Sequence, residues 1–180
     1  AMNANRALER GYPHGSHWLH EPTMSAAPSA EFMLPGDTGF VTEEFPFYWL
    51  ARFHALYESE VEKVLKKLHT DLPGRRVLLL LRMHGTMSVS ELATHAVFKL
   101  STMTRVVQRM RVEGLVHTHT NKEDARVTDV SITPTGTELA ARIDLATRKI
   151  FVACYAGLSP TQLERFSQTL RAMFRNLSEA

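Results

Sequence analysis

The stretch from Ser88 to Arg126 constrains the fold most strongly, because three local signals follow one another there without a gap. Ser88-Val89-Ser90-Glu91 has the form of a capping box, in which the serine side chain accepts the amide hydrogen of the glutamate and the glutamate reaches back to the serine amide. It predicts the start of a short helix whose inward face is Val89, Leu92, Ala93 and Ala96. Ser101 is then expected to cap a second helix that ends at Gly114.

The second helix is amphipathic, and a β-hairpin is expected to follow it. Apolar residues at i, i+3, i+4 and i+7 predict its buried face: Met103, Val106, Val107 and Met110. The opposite face is polar: Thr102, Thr104, Arg105, Gln108 and Arg109. Residues 115–119 and 127–132 are β-branched and roughly alternating, and the polar segment 120–126 joins them. This pattern predicts a hairpin with a charged tip.

Longer helices are predicted on both sides of this unit. Apolar residues spaced by three or four from Leu50 to Leu68 predict one helix, which Leu72-Pro73-Gly74 ends, and a very apolar helix follows from Arg76 to about His84. Thr133-Pro134 is a good cap and first residue for a long helix closed by Gly157. Ser159-Pro160-Thr161-Gln162 predicts the start of a last helix.

The last helix carries a regular apolar seam. Its apolar residues alternate in steps of three and four: Leu163, Phe166, Leu170, Met173 and Leu177. A seam of this kind requires a partner helix. The order of elements predicts a mainly α-helical fold with a small β-hairpin wing, that is, a winged helix-turn-helix at 72–133 with further helices at 45–70 and 134–178. Residues 1–44, rich in Pro, Gly, Ser, His and Ala, are predicted to form a mobile arm.

Basic residues are concentrated in this same unit. The whole chain has 21 Lys and Arg against 19 Asp and Glu, a formal charge of +2, whereas residues 99–126 hold six basic and three acidic residues. Arginine and glutamine can contact guanine and adenine edges bidentately, and the hydroxyls of Ser101, Thr102 and Thr104 let the helix N-terminus approach phosphates. The polar face of the second helix therefore predicts double-stranded DNA as a partner. An ordinary solvated helix face is the alternative.

Several motifs resemble those of MarR-type transcriptional regulators. They are Ser90-Glu91-Leu92-Ala93, then Ser101-x-x-Thr104-Arg105-x-Val107-x-x-Met110-x-x-x-Gly114-Leu115-Val116, then Asp124-Ala125-Arg126 and Ser131-Ile132-Thr133-Pro134-Thr135-Gly136. The likeness extends from about Phe45 to the C-terminus. It implies a homodimeric repressor that binds a pseudo-palindromic operator and whose outer helices, at 45–70 and 134–178, are the dimerisation helices. It also implies that Arg126, beside Lys122 at the wing tip, enters the minor groove and that Asp124 orients Arg126 by a charge-assisted hydrogen bond, with an exposed salt bridge as the plainer alternative.

The resemblance further implies a small aromatic acid as effector, bound between the dimerisation helices and the DNA-binding lobe. The candidates for binding it are Tyr48, Arg52 and Arg76, since an arginine one turn beyond an aromatic residue can pair with a carboxylate while a ring packs beside it. Ion pairs between helices or subunits would explain both arginines equally well.

Other functional classes receive less support. The sequence has no nucleophile elbow, phosphate loop or paired-carboxylate motif, so we expect neither an enzyme nor a cofactor. His14, His17 and His20 are spaced by three, and His117 and His119 share one strand face, but neither group has a partner at metal-ligand spacing. A metal- or small-molecule-sensing scaffold and a protein-binding winged-helix adaptor remain the alternatives.

The cellular setting is also an expectation from the sequence. One cysteine, Cys154, excludes an internal disulfide, and no apolar run approaches the length of a membrane span or a signal peptide. We therefore expect a cytoplasmic protein without a membrane partner.

Overall fold

Helices and a small sheet follow one another in the predicted order. The computed structural model describes residues 34–180. Its helices are α1 (Pro46–Lys67), α2 (Leu72–His84), α3 (Val89–His95), α4 (Leu100–Val112), α5 (Pro134–Tyr155) and α6 (Pro160–Glu179). Its strands are β1 (Met87–Ser88), β2 (Val116–Thr120) and β3 (Thr128–Ile132). The expected class, mainly α-helical with a β-hairpin wing on a helix-turn-helix, is confirmed.

Side-chain caps start three of the helices where the sequence predicts them. Ser88 Oγ accepts from the amide of Glu91 at 3.1 Å, and the Glu91 carboxylate accepts from the amide of Ser88 at 2.7 Å. Ser159 and Gln162 form the same reciprocal pair at the start of α6. Thr133 Oγ1 accepts from the amide of Gly136 at 2.9 Å and so caps α5. Each cap satisfies amide groups that the first turn of a helix leaves without a partner.

Two predicted helix starts are wrong. The helix expected from Arg76 begins at Leu72, because Asp71 caps it through the amide of Gly74 and Pro73 falls in the first turn, where no amide hydrogen is needed. Ser101 does not cap α4, since the cap residue is Lys99, which has no side-chain cap bond, and Ser101 lies inside the first turn.

The sheet contains a strand that the sequence analysis missed. β3 lies in the middle of the antiparallel order β1-β3-β2. Met87 pairs with Val130 and Ser88 with Asp129, so β1 is only two residues long. Two residues are too short for an alternating pattern to show, and the strand ends where the capping box of α3 begins.

One hydrophobic core joins the helix-turn-helix and wing to the two long helices α1 and α5. Among its largest fully buried side chains are Val61, Leu65, Val77, Leu78, Leu81, Leu92, Met103, Met110, Val116, Val130 and Ile143. The wing is thus anchored to the same core as α4, through Val116 and Val130. None of the described helices is both long and apolar enough to cross a membrane.

The predicted arm overlaps the beginning of the described chain. Residues 34–44 form a turn and a 3-10 helix at Thr42–Glu44, and the indole of Trp49 donates to the carbonyl of Glu43 at 2.7 Å. This end of the segment therefore contacts α1. His14, His17 and His20, together with the rest of the predicted arm, lie outside the described residues.

Gly136 provides a test of how closely α5 and the wing pack. A Cβ there would overlap the backbone carbonyl of Leu115 and press on Ile132. Glycine normally weakens a helix relative to alanine by about 1 kcal/mol, yet we expect Gly136→Ala to destabilise the protein by about 1–3 kcal/mol through overpacking. Chemical denaturation measures the change. Ala141→Gly, at an exposed site of the same helix, is the control and is expected to cost about 1 kcal/mol. A more stable Gly136→Ala variant would contradict the close approach.

Candidate nucleic-acid interface

The polar face of α4 is exposed because the other face is buried in the core. Met103, Val106, Val107 and Met110 are all buried, as the spacing predicts. The exposed residues of α4 include Ser101, Thr102, Arg105, Gln108 and Arg109, and Thr104 is half-buried. At 3.6 residues per turn, Ser101, Arg105, Gln108 and Val112 occupy the middle of this exposed face. Arg105 and Gln108 are therefore the long polar side chains that point most directly away from the core.

One margin of α4 faces the wing across a groove of about 500 Å³. Thr104, Gln108 and Arg111 line it from the helix, and Thr118, Arg126 and Thr128 line it from the hairpin. Ser90, in the first turn of α3, also lines it. The structure thus brings the wing arginine predicted from the Asp-x-Arg motif to the same groove as Gln108, which lies on a different element.

Hydrogen bonds made by the side chains of Asn121 and Asp124 fix the shape of the wing tip. Asn121 Oδ1 accepts from the amides of Glu123 at 2.8 Å and Asp124 at 3.1 Å, and its Nδ2 donates to Asp129 at 2.8 Å. Asp124 Oδ1 accepts from the backbone amide of Arg126 at 2.9 Å. Asp124 therefore holds the main chain of Arg126, and the guanidinium and Lys122 lie exposed at the tip.

The small hydroxyls at the start of α4 differ in what they can do. Ser101 and Thr102 are exposed in the first turn, where amide groups have no partner within the helix. The hydroxyl of Thr104 donates to the carbonyl of Leu100 at 2.9 Å. Ser101 and Thr102 are therefore the hydroxyls best placed to donate hydrogen bonds to an anion at the N-terminus of α4.

Arg109 lies on the other margin of α4 and already has a partner. Its Nη1 and Nη2 donate to the two carboxylate oxygens of Asp71 at 2.6 and 2.9 Å, and its Nε lies 3.6 Å from Glu113. Burial alone would raise the pKa of Asp71, but the hydrogen bonds from Arg109 and Gly74 and the charge of Arg109 outweigh it and lower that pKa. The hydrogen bond to Asp71 raises the pKa of Arg109. The pair is therefore fully charged at neutral pH, and the predicted base contact of Arg109 competes with it.

The three candidates for effector binding fall into two places. Arg52 lies over the ring of Tyr48, 5.4 Å from its centroid, on the exposed first half of α1. Arg76 instead joins three elements: it donates to Glu58 of α1 at 2.5 Å and to the carbonyl of Ala96 at 2.8 Å, and it lies 5.2 Å from the ring of Phe98. This matches the interhelix ion pair that the sequence analysis kept as an alternative for Arg76.

The described histidines do not assemble a metal site. His117 and His119 lie on β2, and His119 is 3.9 Å from Asp129 on β3. Within residues 34–180 no three His, Cys, Asp or Glu side chains converge to hold a metal ion. Cys154 is half-buried on α5.

Sequence reasoning missed four polar residues of the groove, Ser90, Arg111, Thr118 and Thr128. Arg111 could have been found, since Thr104, Gln108 and Arg111 follow the i, i+4, i+7 spacing of one helical stripe. Ser90 could not, because its position depends on how α3 packs beside α4.

Comparison with known proteins gives a consistent assignment. A sequence profile described as the MarR family matches residues 73–128. The chain is 44% identical over 143 residues to the HTH-type transcriptional repressor IacR of Pseudomonas putida. The aligned residues make up 79% of this chain and 86% of that repressor. The chain belongs to the MarR family. It is thus a transcriptional regulator, and the predicted resemblance is confirmed.

Solved MarR-family structures share the fold. A MarR-family transcriptional regulator from Silicibacter pomeroyi superposes with a TM-score of 0.70 at 24% identity, covering 76% of this chain and 92% of that chain. Bordetella bronchiseptica BpsR, whose DNA binding is regulated by 6-hydroxynicotinic acid, superposes with a TM-score of 0.65 at 20% identity, covering 74% and 96%. At these identities the likeness concerns the fold of the MarR lobe and its flanking helices.

Proposed function

We propose that this MarR-family protein is a homodimeric repressor that binds a pseudo-palindromic operator through α4 and the wing and leaves it when an aromatic acid binds. The observation that carries the proposal is the groove in which Arg126 of the wing meets Gln108 and Arg111 of α4. Two elements separated in sequence converge there on one exposed, positively charged surface. Such a surface fits a duplex, whose grooves and phosphates lie side by side.

The centre of the α4 face supports a role in base recognition. A helix with its side chains is about 10–12 Å across, close to the roughly 12 Å width of the major groove. Arg105 and Gln108 project from the exposed centre of α4. Their side chains can pair with guanine and with adenine edges, respectively. Ser101 and Thr102 would then lie at the helix end that approaches phosphate.

The wing supports a role on the DNA backbone and the minor groove. Arg126 and Lys122 are exposed at a tip whose main chain is fixed by Asn121 and Asp124. A fixed tip keeps these cations close to one position relative to α4. Asp124 accepts from the backbone amide of Arg126, so its role is to hold the wing tip in shape and not to contact DNA.

Exposed apolar side chains on the long helices support the homodimer. They include Trp49, Phe53 and Leu56 on α1, Leu145 and Val152 on α5, and Phe166, Phe174 and Leu177 on α6. In residues 34–180 no side chain of α6 is buried, although the helix has a strong apolar stripe. Apolar surface of this extent is typical of a protein–protein interface. A second copy would cover it and place two α4 helices on one side of the duplex, about 34–36 Å apart.

Arg52 and Tyr48 are the better candidates for effector binding. The guanidinium of Arg52 is exposed and lies over an aromatic ring, so a carboxylate can approach its edge while a second ring packs nearby. Arg76 would have to give up Glu58 to bind a carboxylate. Because BpsR shares the fold and responds to an aromatic acid, an aromatic carboxylate is the class we propose here.

The wing assignment predicts distinct effects for two substitutions on the groove. Arg126→Ala should weaken operator binding and lower the slope of log K against log salt by about 0.9, because one phosphate-neutralising cation is lost. Gln108→Ala should leave the slope unchanged and reduce discrimination at one base pair by about 1–3 kcal/mol. Salt titrations on the operator and on single-base variants measure both. An unchanged slope and affinity for Arg126→Ala would contradict the assignment.

Dimerisation is tested by placing charge on the α6 stripe. Phe166→Asp with Leu177→Asp should give a monomer that binds the operator far more weakly, since each half-site is then bound independently. Analytical ultracentrifugation and gel shifts measure the two effects. Gln168→Asp, two residues beyond Phe166 and so on the opposite face of the helix, is the control and should stay dimeric. A double variant that remains dimeric would place the interface elsewhere.

The effector proposal is tested with aromatic carboxylates and their thioesters. A compound that binds should raise the melting temperature of the protein and reduce operator affinity, and the operator should reduce affinity for the compound by the same factor. Arg52→Gln should lose most of the thermal shift, whereas Arg142→Gln, at an exposed site on α5, should keep it. Stabilisation that leaves operator affinity unchanged would contradict release by this ligand class.

A further inference from the structure

Arg109 forms a bidentate pair with a residue that also caps a neighbouring helix. Both terminal nitrogens of Arg109 donate to Asp71, at 2.6 and 2.9 Å, while Asp71 Oδ1 accepts from the amide of Gly74 at 2.9 Å. The carboxylate thus holds the first turn of α2 and the second half of α4 together. A planar, two-bond pair fixes orientation as well as distance.

From this geometry we propose that Arg109 is a positioning residue, which sets the rotation of α4 through Asp71 and does not itself read bases or bind phosphate. The proposal rests on the proposed function, because it assumes that the exposed centre of α4 meets DNA. The polar face of α4 then has two parts. Arg105 and Gln108 at its centre contact DNA, and Arg109 at its margin contacts Asp71 of the same chain.

The location of the pair explains why it would control rotation. Apolar contacts on one side of α4 hold the helix against the core, but such contacts are not directional. Arg109 lies at one edge of the exposed face, where a tether has the greatest leverage against rolling about the helix axis. The opposite edge is the groove lined by Thr104 and Arg111. A small roll would move Arg105 and Gln108 relative to base edges.

Local sequence favours this tether over a DNA contact. A Cβ on Gly74 would lie 3.0 Å from Asp71 Oδ1 and 3.7 Å from Arg109 Nη2, so the absence of a side chain there leaves room for the pair. Glu113, one turn beyond Arg109, approaches its Nε at 3.6 Å and adds a second carboxylate to the same guanidinium. Two carboxylates beside one arginine reduce its attraction for phosphate.

The pair is also present across the physiological pH range. The pKa of Asp71 in the folded protein is lowered by Arg109 and Gly74, against the effect of burial. A lowered pKa means that the contribution to stability is complete above about pH 4 and is lost only as the pH falls through the lowered value. The half-exposed side chains, 46% for Arg109 and 42% for Asp71, make that contribution small.

Asp71→Asn distinguishes the two roles of Arg109 by the sign of its effect. Asparagine keeps the cap on α2 but loses the charged, bidentate acceptor. If Arg109 positions α4, Asp71→Asn should weaken operator binding about tenfold, comparable to the loss of one good base contact. If Arg109 contacts DNA, the same change frees its guanidinium, removes a negative charge nearby and strengthens binding. Binding that is equal to or tighter than wild type overturns the proposal.

Substitutions of Arg109 supply an independent measurement. Arg109→Gln and Arg109→Lys should each weaken operator binding about as much as Asp71→Asn does. The slope of log K against log salt should stay unchanged in both. Adding Asp71→Asn to either variant should cause little further loss of affinity. A phosphate contact would instead survive in Arg109→Lys and lower the slope by about 0.9 in Arg109→Gln. That outcome would also overturn the proposal. Circular dichroism and thermal unfolding establish that each variant folds.

Glu113→Gln is the matched control for charge. It removes one negative charge from the same end of α4 but leaves the Asp71 bonds in place, so its operator affinity should stay within about twofold of wild type. If Glu113→Gln weakens operator binding as much as Asp71→Asn does, the loss does not depend on the Asp71 bonds and the proposal is overturned. If the proposed function itself is wrong, the wild-type protein shows no specific operator binding. If only the role of Arg109 is wrong, the wild-type protein binds the operator and the variants give the contrary results above.

Discussion

Burial of one face of α4 is the constraint on which the functional surface depends. Met103 and Met110 are fully buried, and α4 packs against α2, α3 and β2. Since those contacts take the apolar side of the helix, they leave Arg105 and Gln108 at the centre of the exposed side. The wing belongs to the same core through Val130. Packing therefore sets the position of the wing strands relative to α4, and Arg126 lies in the exposed loop that joins β2 to β3.

Local signals in the sequence predicted the order of the elements well, because caps and periodicity act over a few residues. The capping box at Ser88 is an example, since both of its hydrogen bonds lie within one helical turn. The two-residue strand β1 has too few residues to produce such a pattern. Ser101 was assigned as a cap on residue type alone, yet the backbone places the cap at Lys99.

The composition of the interface was harder to predict than the fold, because it depends on contacts between distant segments. Arg109 is an arginine on the polar face of α4, and both features are typical of a residue that contacts DNA bases. Asp71 lies 38 residues earlier, and only the tertiary fold brings the two together. Arg126 is the opposite case: a short motif predicted a wing arginine, and the structure brings Arg126 to a groove that Gln108 also lines. Polar residues on an exposed face therefore need their partners identified before a role is assigned.

Arg76 connects this surface to the helices proposed to form the dimer. The turn before α4 contains Val97 at φ 59°, a left-handed conformation that is unfavourable for a β-branched residue. Arg76 holds the turn on both sides of Val97, through the carbonyl of Ala96 and the ring of Phe98, and holds α1 through Glu58. A shift of α1 relative to α2 must either move this turn or break the ion pair. As long as the ion pair holds, the arrangement of α1 and α2 and the position of the turn that starts α4 are therefore linked.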